Sequence, residues 1–163
     1  MSRIGYPVTY VVTSQTNRLV EAWMNRMRES VGVEIVHRRN AVKGVLSALR
    51  RNRAVAILCD QDAGETGLFV QFFNRPASTP RGPALFHLKT GAPIVFSAAH
   101  RDRDGRLIVT FEEMTFSGLG GDRSRNEQMI MQGITTRLED EVRKHPEQWL
   151  WLHRRWKSQP PSD

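Results

Sequence analysis

Two carboxylates, Asp60 and Asp62, follow the apolar run at residues 54–59 and precede a polar loop that contains Gly64 and Gly67. Carboxylates at the carboxyl end of a buried strand, beside a glycine-bearing loop, are placed where α/β proteins handle ligands. Residues two apart on a strand end point the same way. The pair could bind a cation, orient a polar head group, or tie down its own loop through local hydrogen bonds. The spacing leaves these three interpretations open.

The remaining titratable residues carry no signature of a metal site or a catalytic group. There is no second carboxylate cluster, no cysteine pair and no histidine pair at ligand spacing, so we expect no metal. A nucleophile-elbow motif and a glycine-rich phosphate loop are also absent from the sequence. We therefore assign no catalytic residue among the isolated histidines, which are His37, His87, His100, His145 and His153.

The charge balance suggests an anionic partner. The formal net charge is +7, which suits nucleic acid, anionic lipid or a phosphorylated ligand and is equally consistent with simple solubility. The arginine pairs are scattered rather than clustered in one tail, which argues against a disordered nucleic-acid arm. Arg81 lies in the first turn of a predicted helix, where backbone N–H groups favour anions, so it is either an anion-binding residue or a solvated turn residue.

Strand and helix patterns alternate along the chain. Predicted strands cover residues 7–13, 33–36, 54–59, 93–99 and 107–111, and the strand over 54–59 is apolar on both faces, as a parallel central strand requires. The turn signal Asp104-Gly105 predicts that the last two strands form an antiparallel pair. Predicted helices run from Ser14 to about Ser30 with Leu19, Trp23 and Met27 inward, from Asn40 to about Arg51, from Ser78 or Thr79 to Gly91, and over residues 125–144. This alternation predicts an α/β fold, with an open, mostly parallel sheet flanked by helices, in a single domain over residues 1–163.

The segment near the carboxyl end alternates aromatic, aliphatic and basic residues. Such a pattern suits a lipid interface, and it suits equally a segment packed back on the core with arginine stacked on tryptophan. The residues predicted for a membrane interface are Trp149, Trp151, Arg154, Arg155 and Trp156.

Compartment signals are sparse. Apolar runs stay well short of the roughly 20 residues of a spanning helix, and residues 1–7 lack the apolar stretch of a signal peptide. The lone Cys59 forms no internal disulfide, so we expect a reducing cytoplasmic setting, with this chain soluble.

Several blocks, in order, give the chain a resemblance to a known family. It resembles the C-terminal half of the bacterial lipid A biosynthesis late acyltransferases, a branch of the glycerolipid acyltransferase superfamily. The matching blocks are residues 40–57, Asp60 to Gly64 with Gly67, Phe69 to Phe73, Ser78 to Ala84, Thr90 to Val95, and residues 146–157.

The resemblance implies a glycerolipid acyltransferase-like α/β fold and transfer of a fatty acyl group to a hydroxyl of a lipid A precursor or related glycolipid. The implied donor is acyl carrier protein or acyl-CoA, with no further cofactor. We expect no nucleic-acid partner, because the block of glycines and carboxylates would repel phosphates. The implied location is the cytoplasmic face of the bacterial inner membrane, as a peripheral protein on an anionic surface. By resemblance, the substrate-binding residues are Asp60, Asp62, Gly64, Gly67 and Arg81.

One family motif is missing. The resemblance implies a general-base histidine with an acidic residue five positions further on. Those positions here hold Val42, Ala92, Gly105, Leu150 and Ser158. We therefore expect a chain truncated at its N-terminus, inactive by itself, with an exposed sheet edge near residues 7–13. A non-catalytic module that binds anionic lipid is the alternative.

Overall fold

A computed structural model of the chain describes residues 5–161. Their contacts form two compact units that meet in sequence between Leu58 and Cys59. The first unit contains β1 (Val8–Val12), α1 (Arg18–Ser30), β2 (Glu34–His37), α2 (Ala41–Arg50) and β3 (Ala54–Ala56). The second contains β4 (Leu68–Phe72), β5 (Arg75–Thr79), α3 (Gly82–Thr90), β6 (Ile94–Arg101), β7 (Leu107–Met114) and α4 (Arg123–Lys144). The single domain remains a prediction.

The first unit is built on a parallel sheet with the strand order β2-β1-β3. Because β1 pairs with a strand on each side, the expected exposed edge near residues 7–13 is wrong. The third strand is also shorter than predicted, since it ends at Ala56, and it lies at an edge of the described sheet rather than in its centre. Arg53 secures this arrangement by donating to Thr9 Oγ1 and to the Val8 carbonyl, at 2.9 and 2.8 Å.

The two helices of this unit differ in burial. In α2, Val45 and Ala48 are buried, and Gly44 lets the helix approach β2, because a Cβ there would lie 2.5 Å from Val36. In α1 none of the residues is buried, so the predicted inward face is exposed, with 61% of Trp23 accessible.

The cap of α1 also differs from the prediction. Asn17 rather than Ser14 caps the helix, and its side chain accepts from the backbone N–H groups of Leu19 and Val20. The helix ends at Ser30, as the pattern predicts.

The second unit begins with an antiparallel hairpin that the sequence pattern did not predict. Phe73 and Asn74 join β4 to β5 with φ of +52° and +56°, which is the backbone of a tight hairpin turn. Residues 75–79 are therefore a strand, and the helix predicted from Ser78 or Thr79 begins instead at Gly82.

Helix α4 organises the second unit with both its apolar and its polar side chains. Ile130, Met131 and Ile134 pack with Val70 of β4 and Ala84 of α3 in one core cluster.

The polar side chains of α4 satisfy the free edge of β4. Gln132 accepts from the Gln71 N–H and donates to the Gln71 carbonyl, at 2.8 and 3.0 Å. Glu139 accepts from the Phe73 N–H at 2.6 Å. These side chains supply the bonds that a neighbouring strand would otherwise make.

The observed architecture is a mixed α/β fold with one parallel sheet. The remaining described strands form two antiparallel pairs: β6-β7, as the Asp104-Gly105 turn predicts, and β4-β5, which was not predicted. The predicted mostly parallel arrangement is therefore wrong, because only the sheet of the first unit is parallel. The helix over residues 125–144 is confirmed and starts two residues earlier, where Asp122 caps it. Within residues 5–161, none of the helices combines the length and the apolar character needed to cross a bilayer.

Candidate functional site

The Asp62 carboxylate is buried and fully engaged by its neighbours. It accepts from the Gly64 N–H at 2.9 Å and from Ser158 through both Oγ, at 3.0 Å, and N–H, at 3.3 Å. Lys157 Nζ lies 3.7 Å from the same carboxylate. The Asp62 N–H donates to His153 Nε2 at 2.8 Å. Of the three interpretations of this residue, the geometry favours the one in which it ties down its own loop.

These contacts keep Asp62 charged. Burial is the largest influence and by itself raises the pKa of Asp62. The hydrogen bonds from Gly64 and Ser158 and the charge of Lys157 together outweigh it, so the pKa lies below its ordinary value.

The two glycines of the loop have steric roles. Gly64 has a φ of +73°, which favours glycine, and its carbonyl accepts from Ser78 Oγ at 2.6 Å. A Cβ at Gly67 would overlap that same Ser78 hydroxyl and lie 2.7 Å from Ala63 Cβ. Both glycines thus let the loop lie flat against β5.

Asp60 differs from Asp62 because one of its carboxylate oxygens is buried without a hydrogen bond. Asp60 Oδ1 is buried and has no hydrogen-bond partner among residues 5–161. The same holds for Arg155 Nε, although the two terminal nitrogens of Arg155 donate to the Ser78 carbonyl and to Thr79 Oγ1, at 2.6 and 2.5 Å. Burial lowers the pKa of Arg155, and the charges of Asp62 and Asp60 oppose that shift. A buried guanidinium with two nearby carboxylates is the electrostatic centre of this loop.

The Cys59 thiol is not a nucleophile at neutral pH. Burial raises the pKa of Cys59 to about 12, Asp60 adds to the shift, and Arg155 opposes it. Because the thiolate is the reactive form, this cysteine remains an inert structural residue.

Arg81 lies beside an open cleft at the amino ends of α3 and α4. Its guanidinium binds the carboxylate of Glu127, and Arg123 Nε donates to the other Glu127 oxygen at 3.0 Å. The cleft has a volume of ≈ 540 Å³, and its lining residues are Arg81, Leu85, Asp122, Arg123, Ser124 and Glu127. The sequence prediction named Arg81 and missed Glu127 and Arg123, although their spacing of four is a recognisable helix-face pair.

Glu127 is only 2% exposed and remains charged. Burial is the largest influence and raises the pKa of Glu127, but the hydrogen bonds from Arg81 and Arg123 outweigh it and leave the pKa lowered. One buried negative charge thus positions two cations that are each at least half exposed.

The five residues predicted for a membrane interface separate into two groups. Arg155 is 1% exposed, so its placement at a lipid interface is wrong, because its guanidinium is enclosed by β5. Trp149 and Trp156 pack on Phe72, and Trp156 Nε1 donates to the Phe72 carbonyl at 3.2 Å.

Trp151 and Arg154 are exposed, and for them the interface remains a prediction. The segment forms turns rather than a continuous helix.

Replacement of Gly67 by alanine tests the close packing of the loop. We expect Gly67→Ala to lower the free energy of unfolding by about 1–3 kcal/mol, because the added methyl group displaces the Ser78 hydroxyl from its bond to Gly64. Urea denaturation measures the effect. Gly120→Ala is the matched control, since a Cβ at Gly120 meets nothing within 4 Å. Equal effects at both positions would contradict the packing argument.

The lowered pKa of Asp62 predicts a pH-dependent contribution to stability. The ordinary pKa is 3.8, so the carboxylate contributes stability above that pH and loses it as the pH falls through the lower folded-state value. We expect Asp62→Asn to cost roughly 2 kcal/mol at pH 7, and the difference from the unmodified chain to shrink below about pH 4. Urea denaturation across this range measures it. Asp104→Asn, at a 72% exposed side chain, is the control, and a penalty at Asp62 that does not vary with pH would refute the prediction.

Comparison with known proteins identifies the family. The family model described as bacterial lipid A biosynthesis acyltransferase matches residues 1–158. The lipid A biosynthesis palmitoleoyltransferase of Escherichia coli (strain K12) is 29% identical over 159 residues, which are 94% of this chain and 49% of that protein. The lipid A biosynthesis acyltransferase of Shigella flexneri gives the same values.

A second group of relatives has a different printed name. The phosphatidylinositol mannoside acyltransferase of Mycobacterium tuberculosis (strain CDC 1551 / Oshkosh) is 27% identical over 133 residues, which are 79% of this chain and 40% of that protein. The chain thus spans about half or less of the length of these curated relatives. Since the family model covers nearly every residue, the chain belongs to the bacterial lipid A biosynthesis acyltransferase family.

Proposed function

We propose that this chain supplies substrate-binding elements for transfer of a fatty acyl group to a hydroxyl of a lipid A precursor or related glycolipid. The donor is acyl carrier protein or acyl-CoA. Family membership and relatives named as lipid A and phosphatidylinositol mannoside acyltransferases support the proposal. The proposed location is peripheral, on the cytoplasmic face of the inner membrane.

The observation that carries the proposal is the cleft with Arg81, Arg123 and Glu127. The two guanidinium groups share one buried carboxylate, and both are at least half exposed to solvent. The other carboxylate of the cleft, Asp122, is occupied as the cap of α4 by the N–H groups of Ser124 and Arg125, so the exposed guanidinium groups are the groups that a ligand phosphate can reach. Both donors are anionic. Coenzyme A carries phosphates, and acyl carrier protein holds its acyl group on a phosphopantetheine, which contains a phosphate. Arginine presents a planar fork of donors that suits phosphate oxygens.

Asp60 is the second element of the proposal. Asp62 is saturated by Gly64 and Ser158, whereas Asp60 Oδ1 has no partner within the described residues. An unpaired buried acceptor costs about 1–3 kcal/mol, so a hydrogen bond from a substrate hydroxyl would relieve that cost. Because Oδ1 is buried, the loop must shift to let a hydroxyl group reach it. We assign Asp60 to the acceptor side, with Asp62, Gly64 and Gly67 holding its loop in place.

The general base is not assigned to this chain. None of its histidines has an acidic residue five positions further on, which is the spacing that the family resemblance requires. In this proposal, the residues of this chain bind and orient the donor and acceptor. Removal of the proton from the acceptor hydroxyl is assigned to a group outside residues 1–163.

Binding of a medium-chain acyl-CoA, measured by isothermal titration calorimetry, tests the role of the cleft. The double variant Arg81→Gln with Glu127→Gln removes the Arg81 guanidinium together with the carboxylate that it pairs with, so the net charge of the cleft is unchanged and a loss of affinity reports the lost guanidinium contact itself. We expect it to weaken binding about five- to tenfold, because one charge-assisted contact to a phosphate is lost at a half-exposed position. Arg125→Gln, on the first turn of α4 but outside the cleft lining, is the matched control.

Two further measurements complete this test. An acyl thioester without phosphates should bind the unmodified chain and the double variant equally well. Equal acyl-CoA affinities for the double variant and the unmodified chain would contradict the cleft assignment. Robust acyl transfer by the 163-residue chain, abolished by replacing one of its histidines, would instead overturn the assignment of the base to a group outside it.

The alternative is a non-catalytic module for anionic lipid surfaces, and one observation favours it. Leu150, Trp151 and Leu152 form a consecutive exposed apolar run, with 92% of Leu152 accessible, and the exposed Arg154 follows. Apolar residues beside cations suit the boundary between head groups and acyl chains.

Co-sedimentation with phosphatidylglycerol-containing and pure phosphatidylcholine vesicles at low salt tests this alternative. If the run inserts, Leu150→Ser with Leu152→Ser should reduce binding to anionic vesicles several-fold, because it removes apolar surface buried in the bilayer. The control pair is Leu107→Ser with Val109→Ser, which lies on exposed β7 positions. Absence of binding at low salt, where charge attraction is least screened, would remove the alternative.

A further inference from the structure

The second unit brings two histidines and a glutamate together at the end of α4. His100 is near the end of β6, Glu141 is in the last turn of α4, and His145 is the residue that follows that helix. One ligand atom from each residue lies within 4.8 Å of the other two. The fold brings together two histidines that are 45 positions apart in the sequence, too far apart for a short ligand-spacing motif to predict their contact.

Hydrogen bonds do not account for this cluster. The His100 and His145 rings stack with centroids 3.9 Å apart and planes 16° apart. His100 Nδ1 is buried without a hydrogen-bond partner among the described residues, and Glu141 Oε1 is 4.0 Å away, beyond hydrogen-bond range. His145 Nδ1 is likewise 4.0 Å from Glu147. Ring nitrogens and a carboxylate oxygen therefore converge without satisfying one another.

We propose that His100, Glu141 and His145 bind a divalent transition-metal ion of the zinc type. Two imidazoles and one carboxylate are a known ligand set for zinc, with a fourth position left for water. Ligand atoms on a tetrahedral zinc are about 3.4 Å apart, so the rings must tilt out of the stack and close by roughly 1 Å.

The charges around the cluster leave one carboxylate oxygen for the metal. Arg137 and Lys144 both approach Glu141 Oε2, at 2.9 and 3.6 Å, while Oε1 faces His100. Arg137 is shared with Glu112, whose oxygen is 2.7 Å from Arg137 Nε, so its charge is partly compensated. Arg137 thereby orients the carboxylate in the way that outer partners orient metal ligands.

The backbone at the site is also held in place. Gln148 accepts from the Arg101 N–H at 2.7 Å and donates to the Arg101 carbonyl at 2.9 Å. This pair of bonds docks the segment after α4 against the end of β6, next to His100 and His145. Ligand side chains on such a tethered backbone lose little freedom when they close on an ion. The ion would fasten the end of α4 to β6.

Metal titration of the untagged, chelator-treated 163-residue chain tests the proposal. Zn²⁺ is titrated by calorimetry, and Co²⁺ serves as a visible-absorption probe of coordination. We expect one ion per chain, and a rise in Tm of about 5–10 °C at hundredfold excess over Kd. His145→Gln and His100→Gln should each weaken Zn²⁺ binding by more than about tenfold and abolish the Tm rise.

The control is His37→Gln, because His37 also lies near a carboxylate, 3.8 Å from Glu21, but belongs to no such cluster within residues 5–161. It should bind Zn²⁺ like the unmodified chain. If His100→Gln does not fold, His145→Gln decides, since that side chain is 30% exposed and follows the helix. Absence of saturable binding, or equal Zn²⁺ affinity in the unmodified chain and His145→Gln, would overturn the proposal. This outcome is independent of the acyl-transfer proposal, because neither measurement uses a lipid or a thioester.

Discussion

The loop that contains Asp60 and Asp62 and the C-terminal segment both depend on the contacts of the Arg155 guanidinium. It donates to the Ser78 carbonyl and to Thr79 Oγ1, and it lies over the Phe72 ring with its Cζ 5.5 Å from the centroid. Taking such a cation out of water is costly unless charge and hydrogen bonds compensate. The nearby charges of Asp62 and Asp60 offset part of that cost, although burial still lowers the pKa of Arg155, so the loop, β5 and the tail stabilise one another.

Asp62 reinforces this dependence from the opposite side. Its carboxylate accepts from the tail at Ser158 and from its own loop at Gly64, and its N–H donates to His153. In this structure, the block from Asp60 to Gly64 therefore joins its own loop to the C-terminal segment. Within residues 5–161, Asp60 Oδ1 is buried without a hydrogen-bond partner, and the assignment of Asp60 to the acceptor side is a proposal.

Helix α4 has a comparable organising role, because each of its faces serves a different neighbour. Ile130 belongs to the core, Gln132 completes the edge of β4, and Glu127 holds Arg81 at the cleft. At its last turn, Glu141 faces His100 across the gap to β6. A helix of 22 residues can reach all of these positions because it runs about 33 Å.

The sequence by itself determined what depends on neighbours along the chain. The apolar spacing over residues 125–144 predicted α4, the Asp104-Gly105 turn predicted the β6-β7 pairing, and the ordered motif blocks identified the family. The β4-β5 hairpin was not predicted, because its turn carries only one residue, Asn74, that favours the left-handed backbone.

Only the tertiary structure decided which distant groups meet. Arg155 and Trp151 belong to one basic, aromatic segment, yet one is buried against β5 and the other is exposed. In the same way, His100 meets His145 because β6 ends beside the end of α4. Periodicity reports which side of an element is apolar, but the partner that covers it depends on long-range packing that no local pattern encodes.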